Sequence, residues 1–412
     1  MLAEIFKIFG SKYTLLEIMR HYWMIFPLAF GISFLVTPLC RKLALRWGIM
    51  DIPDHDVKTH TQPTAYLGGV GILMGVLAGL AIGFWILIDQ QSHVTTAVKS
   101  QPGGYDAGFH NWRILAGIGC GAIIACLLGV LDDLYDIKPW QKFLGQAVAA
   151  CALIGVGIVP NFAHFFGFFH IEIPEIWNTL LGAPVVLFFI LGATNSLNLL
   201  DGLDGLCAGV TAIITLAFLV LGLSLATWSH SPVGDPVRLI VCLALAGGTL
   251  GFLPLNRHPA KIFMGDAGSM LLGFIAGTLM ILFTERVGAW SMGAIVIFGL
   301  PILDTAVALA RRFLNKCPLF VSDRGHIYDQ FMDRGLPLKR AVGLSYLLAL
   351  LYALTGILVA TTRFRYAVAA LVGIMVVSAL VIWKKGFLRM PPPVTKPEES
   401  KTAHPSETEQ TG

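Results

Sequence analysis

The sequence predicts an all-α integral membrane protein, a bundle of about eleven transmembrane helices with its chemistry gathered on one face. Three observations predict it. First, 56% of the 412 residues are apolar and only 13% are charged, whereas soluble domains run about 45–50% and roughly 25%; the mean hydropathy is +0.73. Second, eleven stretches lack Asp, Glu, Lys and Arg: 23–39, 67–88, 114–131, 143–160, 178–200, 205–229, 239–255, 267–284, 287–303, 341–362 and 366–383. About twenty apolar residues cross a bilayer core, and backbone groups in lipid must pair within the segment, which makes these stretches helices. Third, the acids are segregated. Of 16 Asp, all but Asp89, Asp106 and Asp235 fall in or beside the loops after spans 1, 3, 5, 7 and 9, and no Glu does. Scattered solvating charges would mix the two acids, whereas short, hard oxygen donors on one face suit Mg²⁺.

Taken in order, the chain divides into three parts. Residues 1–22 are apolar but interrupted by charges and lack a signal-peptide pattern, so an interfacial segment is expected there. Residues 23–386 form the polytopic domain. Residues 387–412, Pro-rich and polar, are expected to be a disordered tail. The seven cysteines, nearly all within spans and without a metal-like CxxC pair, read as small core hydrophobes. Eleven spans put the termini on opposite sides. The side holding the acidic loops and the tail carries 20 of the 29 Lys and Arg. The positive-inside rule makes that side cytoplasmic.

The five loops on this side differ in their chemistry. The first, after span 1, holds Asp51, Asp54, Lys58 and His60 ahead of Gly68-Gly69. The loop after span 3 reads LDDLYDIKPWQK. Asp132 and Asp136 share a helix face, where like charges repel by a few tenths of a kcal/mol unless a cation intervenes; a solvated helix end would look the same. Span 5 closes with NSLNLLDGLDGL, placing Asn195, Asn198, Asp201 and Asp204 at every third position. Ionisable groups at membrane depth are costly and tend to be functional, and free amides near Gly202–Gly205 would attract phosphate. After span 7, NRHPAKIFMGDAGS contains Asn256, Lys261, Phe263 and Asp266; a helix cap alone would also explain Asp266. The longest loop carries Arg311, Arg312, Asp323, Arg324, His326 and Asp329, with Asp304 on the same face of span 9 as Arg311. Arginines there could hold a nucleotide diphosphate through bidentate contacts, although the positive-inside rule needs no ligand.

Together, LDDLYD, NSLNLLDGLDGL, NRHPAKIFMGDAGS and DRGHI resemble the polyprenyl-phosphate N-acetylhexosamine-1-phosphate transferases, glycosyltransferase family 4, nearest to those using undecaprenyl phosphate and N-acetylglucosamine. The similarity spans about residues 25–385, with the motifs in family order. It implies an eleven-helix bundle in the bacterial inner membrane with a cytoplasmic-face active site. It also implies Mg²⁺, or Mn²⁺ in its place, a UDP-N-acetylhexosamine donor, an undecaprenyl or related polyprenyl phosphate acceptor, UMP as product and a homodimer. The reaction would begin cell-surface polysaccharide synthesis. By resemblance, Asp132, Asp133, Asp201, Asp204 and His326 are catalytic, and Asp266 holds the metal with help from Asp201 or Asp132. Asn198 and Phe263 bind substrate on the same ground, Phe263 at the uracil, while Lys58, His60, Asn256, Arg311 and Arg324 are expected to bind substrate from their place in the same loops.

One departure stands out. Where the family commonly has His-x-His-His, this chain has His326-Ile327-Tyr328-Asp329. Only the first histidine carries over, and Tyr328 and Asp329 have no assigned role. Missing the three-histidine run also argues against the phospho-N-acetylmuramoyl-pentapeptide transferase alternative. A Mg²⁺-dependent intramembrane prenyltransferase would share the DDxxD-type acids but not FMGDAGS or DRGHI. A cation-coupled transporter would place acids near the midplane in matched halves, and the sequence shows neither.

Overall fold

The computed structural model describes residues 14–52, 63–98, 107–160, 162, 174–227, 235–284, 288–317 and 325–388. Of the expected site residues, Lys58, His60 and Arg324 lie outside them. The helices are α1 (Leu15–Tyr22), α2 (Ile25–Trp47), α3 (Gly68–Val98), α4 (Ala107–Tyr135), α5 (Pro139–Gly155), α6 (Glu175–Leu200) and α7 (Leu206–Thr227). They continue as α8 (Pro236–Asn256), α9 (Gly265–Thr284), α10 (Ala289–Ile297), α11 (Gly299–Leu314), α12 (Ile327–Asp333), α13 (Leu338–Ala360) and α14 (Phe364–Lys384). A short antiparallel ribbon pairs β1 (Met50–Asp51) with β2 (Thr64–Ala65), Met50 opposite Ala65 and Asp51 opposite Thr64.

Ten of the eleven expected spans centre on a single helix, and the chain is an all-α multi-pass membrane protein. Among the described residues nine helices are long and apolar enough to cross a bilayer. The expected fourth span corresponds to α5, whose 17 residues lie at the short end of what spans one. The ninth differs from expectation: residues 287–303 do not form one straight helix. The chain breaks at Phe298 and turns by 65° between α10 and α11, so a tenth crossing exists only if this pair counts as one. Pro301 supplies a reason, because it has no N–H to bond back to Ile297 and disfavours the helical conformation in Leu300.

Helix α9 is the axis of the bundle, with 94% of its spanning window buried, against 11% for the peripheral α14. It packs on α4 and α6, while α2, α3 and α8 form a second group and α10 packs on α13. The α4–α9 contact depends on Gly129. A Cβ there would lie 2.3 Å from backbone atoms of Asp266 and Ala267. Helix α1 is capped reciprocally: Glu17 N–H donates to Thr14 Oγ1 (3.3 Å) and Thr14 N–H to Glu17 Oε2 (2.7 Å). It buries Ile18 and Tyr22.

Candidate active site

Ladders of hydrogen bonds draw the described parts of the five acidic loops to one end of the bundle. Phe263 N–H donates to Ala65 O (2.9 Å), and Gly68 and Gly69 N–H donate to Phe263 and Met264 O (3.0 Å each). Arg41 Nε donates to Lys261 O (2.9 Å). The first loop and the FMGD loop are thereby one surface.

Helix α4 stops just past Asp132-Asp133 because Asp136 adopts φ +47°, a left-handed conformation that Asp tolerates better than most residues. Asp133 reaches to the start of α9, where its Oδ1 accepts from Asp266 N–H (2.8 Å) and its Oδ2 from Ala267 N–H (3.2 Å). A carboxylate suits those free amides and the helix dipole. Gly265 is required beside it. Its φ is +66°, and a Cβ would lie 2.4 Å from Asp133 Oδ2.

The helix start so anchored presents Asp266. Its Oδ1 accepts from Asn198 Nδ2 (2.8 Å), which also donates to Ser269 Oγ (3.0 Å). Its Oδ2 lies 3.2 Å from Lys142 Nζ on α5. Lys142 is also ion-paired with Asp132, whose Oδ1 accepts from Ile137 N–H (3.1 Å). Lys142 thereby links the Asp132 and Asp266 carboxylates. Together with Asp133, Asp136, Lys142, Asp51 and Tyr66 they line an open, polar cavity of about 500 Å³. Tyr66 also faces the Phe263 ring at 6.3 Å. Burial, then the Asp51 carboxylate, raises its phenol pKa.

The NSLNLLDGLDGL residues divide their work. Asn195 Nδ2 donates to Gln146 Oε1 (2.9 Å) and Leu191 O (2.8 Å), tying α6 to α5. Asp201 ends α6 and is half-buried. Burial, then the Asp266, Asp133 and Asp204 carboxylates, push its carboxyl pKa well above the ordinary range. A cation arriving nearby would favour its ionised form. Asp204 points to the FMGD loop, where its Oδ2 accepts from Ala260 N–H (3.1 Å) and lies 2.8 Å from His258 Nδ1. Asn256 is buried; its Oδ1 accepts from Gly205 N–H (3.1 Å) and its Nδ2 donates to Ile262 O (3.1 Å). Both brace the loop that carries Phe263. Asp204→Ala should therefore lower stability by about 1–3 kcal/mol through the orphaned Ala260 amide. An unchanged melting temperature in detergent would remove the bracing role.

His326 and Arg311 form a second cluster. His326 Nδ1 is 2.7 Å from Asp304 Oδ2, and its ring stacks on Tyr328 at 5.4 Å and 9°. Buried Arg311 donates through Nη1 to Gly325 O (2.5 Å). Tyr328 joins the clusters. Its hydroxyl donates to Leu199 O (3.0 Å), and its ring covers Gly202 so closely that a Cβ there would fall 2.1 Å from the phenol oxygen. Burial, then Asp329, raises the Tyr328 phenol pKa and keeps the hydroxyl protonated.

The structure thus brings Asp132, Asp133, Asn198 and Asp266 together, with Asp201 nearby. It sets Asp204 and Asn256 behind the loop, and His326 and Arg311 across the Tyr328 bridge. Sequence reasoning missed Lys142, Tyr66 and Ser269. Only a lysine ten residues beyond Asp132 and a serine one turn after Asp266 hinted at two of them. For a metal, no group of three or more His, Cys, Asp or Glu among the described residues is arranged as a cage. Two facing carboxylates nonetheless fit Mg²⁺, which keeps waters and takes one or two carboxylates plus substrate phosphate oxygens.

Residues 115–284 match the profile of glycosyl transferase family 4. A Bacillus subtilis (strain 168) protein described as a probable undecaprenyl-phosphate N-acetylglucosaminyl 1-phosphate transferase is 33% identical over 336 residues, 80% of this chain and 83% of its own length. A decaprenyl-phosphate N-acetylglucosaminephosphotransferase of Mycolicibacterium smegmatis is 30% identical over 380 residues, 88% and 87%. A phospho-N-acetylmuramoyl-pentapeptide-transferase of Lactobacillus johnsonii is 34% identical, but over only 58% of this chain and 68% of its own.

Proposed function

The chain belongs to glycosyl transferase family 4, and from that premise we propose that it transfers N-acetylglucosamine 1-phosphate to a polyprenyl phosphate, undecaprenyl phosphate as the acceptor. The relatives that cover most of the chain carry this activity in their names, whereas the muramoyl-pentapeptide enzyme matches a shorter part. The donor in this reading is UDP-N-acetylglucosamine. An oxygen of the lipid phosphate bonds to the sugar-bearing phosphorus, the bond from that phosphorus to the UMP oxygen breaks, and UMP leaves with the electron pair. The site faces the cytoplasm of a bacterial inner membrane, in keeping with the Lys and Arg distribution.

The observation that carries the chemistry is the pair Asp132 and Asp266, joined through Lys142 and lining one polar cavity. These two would hold Mg²⁺, with Asp201 near enough to assist through its field. The ion would neutralise diphosphate charge and act as a Lewis acid on the phosphoryl oxygens. The lipid phosphate, with a second pKa near ~6, is largely dianionic at neutral pH, so no strong base is needed. Asp133, with both oxygens bonded to α9 amides, orients Asp266 rather than taking a proton. Asn198 fixes the Asp266 rotamer through its amide. Lys142 offers an ammonium to the incoming phosphates, and Phe263 with Tyr66 provides an aromatic wall for the uracil.

Purified protein with Mg²⁺, undecaprenyl phosphate and a panel of UDP-sugars should release UMP only when lipid and metal are both present, fastest with UDP-N-acetylglucosamine. Pyrophosphate release would instead indicate prenyl transfer. A folded protein releasing no UMP with any sugar would overturn the proposal.

A further inference from the structure

Asp304 is fully buried and lies on α11, beyond the break in the ninth span, at a distance in sequence from every motif. A buried carboxylate is costly unless each oxygen is engaged, and here both are. Oδ2 lies 2.7 Å from His326 Nδ1, and Oδ1 accepts the Ile327 amide hydrogen at 2.7 Å. The two partners are consecutive residues at the start of α12, so a single carboxylate fixes both the His326 ring and the Ile327 backbone. Further restraints act on the ring and on the backbone beside it. Tyr328 stacks on the imidazole, His326 N–H donates to Asp329 Oδ2 (3.3 Å), and Arg311, seven residues after Asp304 on α11, holds Gly325 O.

We propose that Asp304 is the positioning residue of His326, a buried carboxylate that fixes the imidazole with its proton on Nδ1. The inference rests on the transfer reaction proposed above. Because Nδ1 is committed to Asp304, any contact between His326 and substrate runs through Nε2. A carboxylate on one ring nitrogen also makes the other a stronger acceptor and steadies the charged ring when it forms, as in carboxylate–histidine pairs generally. Tyr328 and Asp329, standing where the family's second and third histidines would be, acquire roles here. Tyr328 is the platform under the ring and the bridge to the Leu199–Gly202 turn, and Asp329 restrains the His326 backbone. The break in span 9 then serves the site, since it aims α11 so that Asp304 and Arg311 reach the loop together.

Two measurements on the full chain test this. In the first, Asp304→Asn, His326→Gln and the double variant are compared in the UMP-release assay. Asp304→Asn preserves shape and can still accept the Ile327 amide, but it no longer offers a carboxylate to Nδ1. It should lower kcat roughly 10–100-fold, the range for partners of a functional histidine, with little change in KM for the UDP-sugar. In the His326→Gln background the same substitution should cost less than about twofold, because nothing is left for Asp304 to position. Losses that multiply in the double variant, or full activity in Asp304→Asn, would overturn the proposal. The second measurement uses wild-type protein labelled with ¹⁵N-histidine, the His326 signals being assigned by their loss in His326→Gln. A neutral ring protonated on Nδ1, or a doubly protonated ring, is the expected result. A neutral ring protonated on Nε2 overturns the positioning role whatever the assay shows. A wild-type protein without transfer activity but with the Nδ1–H signature would instead sink the reaction and leave the pairing intact.

Discussion

Asp266→Ala should reduce UMP release by about 10³-fold at saturating Mg²⁺, equivalent to roughly 4 kcal/mol of transition-state stabilisation. The expectation comes from what the side chain does at once. One oxygen faces Asp132 and Lys142 on the cavity, and the other is held by Asn198. Asp132→Ala should cause a loss of similar size, since Asp132 and Asp266 share the Lys142 ammonium at the cavity. Folding should survive both changes, because the amides at the start of α9 are satisfied by Asp133 and not by Asp266. Near-wild-type turnover with saturating Mg²⁺ in Asp266→Ala would remove the metal assignment. A loss fully recovered by raising Mg²⁺ would show that the side chain contributes affinity alone.

The second large effect comes from a residue with no chemistry. Gly129→Val leaves every carboxylate, amide and lysine of the site in place. Its Cβ, however, would meet the backbone of Asp266 and Ala267 at 2.3 Å, and backbone cannot swing aside as a side chain can. Overpacking of this kind costs about 1–3 kcal/mol, so the melting temperature should fall. Moving α9 away from α4 by even part of an ångström also separates Asp266 from Asp132 and strains the Asp133 anchor. Misplacement on the scale of 1 Å costs about 10²-fold in rate, and that is the expected loss in kcat. Unimpaired kcat would mean that the α4–α9 spacing is not what aligns the two acids.

Both predictions show what could be read without a structure. Asp132 and Asp266, which the structure brings together with Asn198, stood out because membrane helices admit ionisable groups only at a cost, so aspartates gathered at span ends are candidates for a site. Lys142 was not, since a lysine at a span end obeys the positive-inside rule whether or not it joins a carboxylate pair. Asp133 was legible as an acid but not in its role. Adjacent aspartates look alike in sequence, and both line the cavity, yet only Asp133 also caps a helix more than a hundred residues away. Asp204, expected to be catalytic, and Asn256, expected to bind substrate, both hold backbone of the FMGD loop region, a contact invisible in sequence because polar side chains that satisfy backbone look the same there as ones that meet a ligand.

By itself, the sequence determined the membrane class, the apolar helical stretches apart from the bent ninth, and the family. These follow from apolar run length, from the cost of unpaired backbone and charge in lipid, and from motifs that are local in the chain. Tertiary structure alone decided which acids meet, which of them hold backbone instead, the break at Phe298 and the pairing of Asp304 with His326. Each of these depends on helices distant in sequence approaching to within a few ångströms, through contacts such as Gly129 on Asp266 that leave no periodic signal in the chain.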